Sequence, residues 1–148
     1  MIRSMLLKMV AALALVFSSA VAFAQSTNPY VTAFQEWVVF FDSGKSAFPA
    51  SKEGMVKEIV QAYKTRASTQ TIEVLVVGYA DTVGNPESNK KLTIARAASV
   101  KQALVAAGIP ANRIRVEGMG VDPGYAAQNN LSYESTRRVV VSFVPVGQ

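Results

Sequence analysis

The chain has no cysteine and no histidine among its 148 residues. The first absence removes any disulfide framework, any thiolate nucleophile and any N-terminal lipid-modified cysteine. The second removes the common parts of zinc sites and of Ser-His triads. An exported chain of this composition must therefore hold its fold by its apolar core alone. Charge of one sign is also in short supply. Fifteen basic residues face ten acidic ones, and the excess is not clustered. That pattern gives no case for nucleic acid as a partner. Long apolar runs are absent after residue 24, so no later segment is expected to span a bilayer.

What is present begins with "MIRSMLLKMVAALALVFSSAVAFAQ". Arg3 and Lys8 precede an apolar stretch that ends in Ala22-Phe23-Ala24, the layout of a secretory signal with an A-x-A cleavage site. Residues 1–24 are expected to be a cleaved signal peptide, 25–35 a poorly ordered polar lead-in, and 36–148 one domain. Removing Arg3 and Lys8 leaves 13 basic against 10 acidic residues, a net charge of +3. Such a signal implies export from the cytoplasm.

The pattern of residues predicts β-α-β-α-β-loop-β. "WVVFF" at 37–41 reads as a strand stopped by the turn-rich "DSGKS". Residues 49–66 read as a helix, with Met55, Val56, Ile59, Ala62 and Tyr63 at helical spacing. "TIEVLVVGYA" at 71–80 is nearly continuous in apolar and β-branched residues, as a central strand would be. Asn85-Pro86-Glu87 supplies an N-cap, a first-turn proline and an acid for a second helix, and Gly108 with Pro110 ends it near residue 107. "RIRVEGMG" at 113–120 reads as a strand running into a loop and "RRVVVSFV" at 137–144 as a last strand, with a polar loop at 121–135 between them. The fold class is α+β, a two-layer sandwich with a mixed sheet and two helices covering one face.

One charge in the second helix is out of place. With Leu92 at zero and about 100° per residue, Ala103, Ala107 and Val100 fall within about 80° on one side. Ala95 and Ala106 fall within about 60° on the other, and Arg96 and Asn89 lie inside this apolar sector at about 40° and about 60°. Lys101 lies opposite, where a solvated charge belongs. A guanidinium on an inward face must be paired and hydrogen-bonded. Asp81, at the C-terminal end of the preceding strand, is the nearest acid, and that edge of an α/β sheet is the usual ligand crevice. Periodicity leaves two readings open. Asp81 and Arg96 form a structural salt bridge, or both face a zwitterionic ligand, with Arg96 gripping a carboxylate and Asp81 an ammonium group.

The spaced pattern G-Y-A-D81-x-x-G84, N89-x-x-L92-T93-x-x-R96-A97-x-x-V100, G108-I109, G118-M119-G120 and R137-R138-V139 resembles the OmpA-like peptidoglycan-binding domain. "VVFFDSGKSAF" is similar to that family's first strand and turn, and the likeness extends over about residues 37–143. The resemblance implies a periplasmic location in a Gram-negative cell, in association with the outer membrane through a protein partner of that membrane or the envelope, since the lead-in is too short to form a barrel. It also implies non-covalent binding of peptidoglycan through the diaminopimelate centre of its stem peptide. It places the ammonium on Asp81 and the carboxylate on Arg96, with Asp42, Thr82, Asn89, Arg137 and Arg138 as supporting pocket residues. Strand alternation turns the two arginines to opposite faces, so one of them is expected in the pocket. No cofactor, metal or catalytic residue is implied. The sequence departs from the family pattern at Ala80, Thr136, Tyr133, Glu134 and Val140, and the 121–135 loop matches poorly.

Two rival classes remain. Asp42 and Asp81 both follow strands and could in principle serve glycoside hydrolysis, but nothing else in the sequence supports an acid/base pair. A protein-interaction adaptor on the same fold, with weak or no peptidoglycan binding, is the alternative function. "GMGVDPG" lacks the G-x-G-x-x-G spacing and is read as a loop, not a nucleotide site. Trp37 is expected in the core rather than on a sugar-stacking platform.

Overall fold

The computed structural model describes residues 35–126 and 132–146. The expected signal segment and all of the lead-in except Gln35 lie outside the described residues. Four strands and two α-helices follow in the order β1 (Glu36–Phe40), α1 (Glu53–Ala67), β2 (Ile72–Ala80), α2 (Pro86–Ala106), β3 (Ile114–Val121) and β4 (Arg138–Pro145). The sheet order is β1-β4-β2-β3. β2 and β3 run parallel, as the intervening helix requires, and β4 is antiparallel to both β1 and β2.

The inward faces of the strands supply Trp37, Val39, Ile72, Val74, Val76, Val139, Val141 and Phe143, in one core with Val56, Ile59 and Val60 of α1 and Ala97, Val100 and Leu104 of α2. Both helices thus cover the same face of a mixed sheet, as expected. Trp37 is a core residue, its ring 5.0 Å from that of Phe143. On the opposite face Leu75, Val77 and Val140 are half-buried and Phe40 is exposed. No described helix is long and apolar enough to cross a membrane.

The signals read for α2 act as expected. The Asn85 side chain accepts from the Glu87 and Ser88 amides, and Pro86 opens the helix. At the other end Gly108 takes φ 110°, its amide donates to the Val105 carbonyl, and the Ile109 amide donates to that of Leu104. These are the two bonds of a Schellman motif, and Ile109 and Leu104 both enter the core.

Three details differ from the sequence reading. The buried stripe of α2 is Asn89, Thr93, Arg96, Ala97, Val100 and Leu104, rotated away from Ala95, Ala106 and Ala107, which are exposed. Alanines around the whole circumference blur the apolar sector, and the sheet decides which of them are covered. Lys101 is half-buried rather than solvated, and its ammonium donates to the Ile114 carbonyl at 2.9 Å. "GMG" at 118–120 belongs to β3, not to a loop. There Gly118 pairs with Gly78 of β2, beside a register shift between Gly78 and Tyr79. Both glycines lie directly under Thr93, and a Cβ on Gly78 would collide with the Thr93 carbonyl. This bare patch lets α2 approach the sheet closely enough to place Arg96.

Candidate functional site

The site gathers at the ends of β1 and β2, the start of β4 and the inner face of α2. Arg96 has no exposed surface. Its Nε donates to the Lys45 carbonyl at 2.8 Å, Nη2 to the Asp42 carbonyl at 3.0 Å and Nη1 to the Tyr79 carbonyl at 3.3 Å. Its guanidinium lies 5.4 Å from the centre of the Phe41 ring. A buried cation is thus held by backbone dipoles from the β1–α1 turn and from β2. Burial lowers its proton affinity below the usual arginine range. The Asp81 carboxylate opposes that effect and the charge of Arg137 adds to it.

Asp81 is also buried, and its carboxylate is held by Val83, Ser132 and Arg137 rather than by Arg96. Oδ1 accepts from the Val83 amide at 3.3 Å, the turn geometry expected of an aspartate that starts a loop. Oδ2 accepts from the Ser132 hydroxyl at 3.1 Å and from Arg137 Nη1 at 3.3 Å. Arg137 in turn donates through Nη1 to Ser132 Oγ at 2.8 Å and through Nε to the Phe41 carbonyl at 3.2 Å. Of the two readings left open by the sequence, the structural Asp81–Arg96 salt bridge is not the one formed: Asp81 bridges Arg137, with Arg96 beside the pair as a second positive charge. Arg96 takes carbonyls instead because the turn after β1 folds over it.

The other residues singled out by the sequence divide clearly. Asn89 donates to the Val83 carbonyl at 2.9 Å and to that of Asp81 at 3.3 Å, so it fixes the loop that carries Asp81. Thr82 is half-buried in that same loop. Asp42 contributes its carbonyl to Arg96, while its side chain is exposed. Of the two arginines, Arg137 joins the site. Arg138, grouped with it from the sequence, does not. Its Nη2 bonds Asp122 at 2.7 Å and its guanidinium lies 4.6 Å from the centre of the Tyr79 ring, on the sheet face away from the helices.

Two residues escaped the sequence reading, Ser132 inside the site and Asp122 outside it. Asp122 is buried, caps the Gly124 amide at 2.9 Å and holds Arg138. The signal available was an acid directly before Pro123-Gly124, a turn start. Ser132 gave no signal, since its role depends on residues about fifty positions away. Among the described residues no group of three or more acidic, histidine or cysteine side chains is placed to hold a metal ion.

This arrangement, a buried arginine on a helix beside a strand-end aspartate, can be compared with known proteins. The solved structure of the peptidoglycan-associated lipoprotein from Burkholderia pseudomallei superposes with a TM-score of 0.63 at 21% identity, covering 72% of this chain and 89% of that one. At that identity the likeness is one of fold. In sequence, outer membrane protein A of Serratia marcescens is 35% identical over 108 residues, which are 72% of this chain and 29% of the relative. The probable lipoprotein YiaD of Escherichia coli (strain K12) is 31% identical over 111 residues, 73% of this chain and 48% of the relative. The chain thus spans less than half the length of either relative. The OmpA family profile matches residues 40–138, from the end of β1 through both glycine-bearing strands to the arginine pair. With Asp81, Arg96 and Arg137 all inside that match, the chain belongs to the OmpA family.

Proposed function

We propose that this chain is a non-catalytic periplasmic module that binds peptidoglycan, through the diaminopimelate centre of its stem peptide. Asp81 receives the ammonium group and Arg96 the adjoining carboxylate. Asn89 holds the Asp81 loop in place, and Thr82 and Arg137 border the pocket. The observation that carries this reading is the confluence of two buried opposite charges at the strand ends, Asp81 and Arg96, neither consumed by the other. A planar guanidinium has five N–H donors, so three carbonyl bonds leave two for a carboxylate, and because Arg96 has no exposed surface a ligand must first displace the groups that cover it. The name of the Burkholderia lipoprotein, which shares the fold, points to the same polymer.

The test is co-sedimentation of the purified protein with peptidoglycan sacculi, beside Asp81→Ala and Arg96→Ala, with circular dichroism to verify folding. Wild type is expected in the pellet and the folded variants in solution, with a loss of at least about tenfold in affinity for each removed charge. Equal sedimentation of all three would remove the pocket assignment. One observation favours the second reading, a protein-interaction adaptor. Asp81 already has an internal cation, Arg137. Failure of the wild type to sediment would select that reading.

A further inference from the structure

The Asp81 carboxylate is occupied by a group that copies what the proposed ligand brings. Arg137 Nη1 stands 3.3 Å from Oδ2, and the Ser132 hydroxyl stands 3.1 Å from the same oxygen. Resting on the reading above, we infer that Arg137 is an internal stand-in for the ligand's ammonium group, and that binding is an exchange that selects for ligands carrying a carboxylate. An incoming ammonium must take Oδ2 from Arg137. The displaced guanidinium loses Asp81, and it is only 14% exposed. Its Nε keeps the Phe41 carbonyl, which fixes the base of the side chain and keeps the charge near the pocket.

A displaced, poorly solvated cation beside buried Arg96 is costly unless it gains an anion. A ligand with a carboxylate next to its ammonium supplies that anion in the same step. A bare amine does not, and it leaves two guanidinium groups facing each other without a counter-charge. Arg137 is therefore a specificity determinant. It excludes simple amines by leaving an unpaired charge in the wrong complex. Arg138 provides the internal control, since it has its own carboxylate, Asp122, on the other face of the sheet.

The experiment compares two probes on the purified protein by titration followed by NMR. One is meso-diaminopimelate and the other is cadaverine, the same diamine without either carboxylate. The proteins are wild type, Arg137→Met, Ser132→Ala, Arg138→Met and Asp81→Asn. Wild type is expected to prefer diaminopimelate. In Arg137→Met that preference should shrink by about tenfold, mostly through tighter cadaverine binding. Ser132→Ala should move the ratio the same way by a smaller factor, and it serves if Arg137→Met does not fold. Arg138→Met should leave the ratio unchanged.

A merely structural Arg137 would shift both affinities together and leave their ratio intact, which overturns the exchange while leaving the binding site standing. If Asp81→Asn abolishes binding but the ratio in both Arg137→Met and Ser132→Ala equals that of wild type, the exchange is likewise excluded. If neither probe binds any of the proteins, the site reading itself falls and the exchange falls with it. Binding by Arg137→Met alone would support the exchange in its strongest form.

Discussion

Arg137 and Arg138 are neighbours in the chain with the same chemistry, yet they live in different electrostatic settings. Arg138 has a short bridge to Asp122 at 2.7 Å, an aromatic face under it and a carbonyl from Ser135 at 2.9 Å. Charge and counter-charge balance there, and among the described residues nothing else charged is bonded to the pair. Arg137 shares Asp81 at a longer 3.3 Å, with buried Arg96 close enough to be affected by both. Two cations thus converge on one acid. The contrast teaches that an ion pair should be judged by the net charge of its surroundings, not by its presence. A balanced pair has little to offer a ligand, whereas an unbalanced one has a standing demand for an anion.

The most drastic way to break this contrast is Gly78→Ala. The new Cβ would collide with the Thr93 carbonyl and lift α2, which places Arg96 and abuts the β2 end that carries Tyr79. A loss of more than about 4 kcal/mol is expected, as for other severe backbone clashes, and urea unfolding would measure it. A stability within about 1 kcal/mol of wild type would show that the helix can shift without harm.

Next in size is Arg96→Met. It leaves the carbonyls of Asp42, Lys45 and Tyr79 without their donor, at a cost of about 3–5 kcal/mol by the same unfolding assay. Arg96→Lys should recover only part of this, because one ammonium cannot span the planar fan of three acceptors. Full recovery by lysine would mean that charge alone matters at this position.

The smallest effect sharpens the comparison directly. Arg138→Met removes a balanced, charge-assisted pair and should cost about 1–2 kcal/mol. Arg137→Met also relieves repulsion on Arg96, so its cost should be lower and should respond more to added salt. Unfolding both variants at low and high salt checks the order. A larger loss for Arg137→Met would reverse the assignment of which pair is structural.

The sequence exposed a good part of this arrangement. Asn85-Pro86-Glu87 and Gly108 marked both ends of α2 because caps are local chemistry, bonded within a few residues. Asp81 and Arg96 stood out because one followed an apolar strand and the other interrupted an apolar face. The partners were hidden. Arg96 meets carbonyls 51 and 54 positions away, and backbone oxygens carry no sequence signature. Asp81 meets Arg137 at a separation of 56, a distance set by strand order alone. The burial of Lys101 was equally illegible, since the Ile114 carbonyl that receives it belongs to the start of another strand.

The three carbonyls around Arg96 also bear on how this end of the molecule assembles. They come from the turn after β1 and from β2, while the arginine rides on α2. None of these segments alone can satisfy the guanidinium, and any two leave it partly stripped of water without full compensation. Burial of Arg96 therefore becomes favourable only when all three arrive together. The side chain works as a coincidence detector, coupling the β1 turn to helix docking across half the domain and making partly assembled forms of this end scarce.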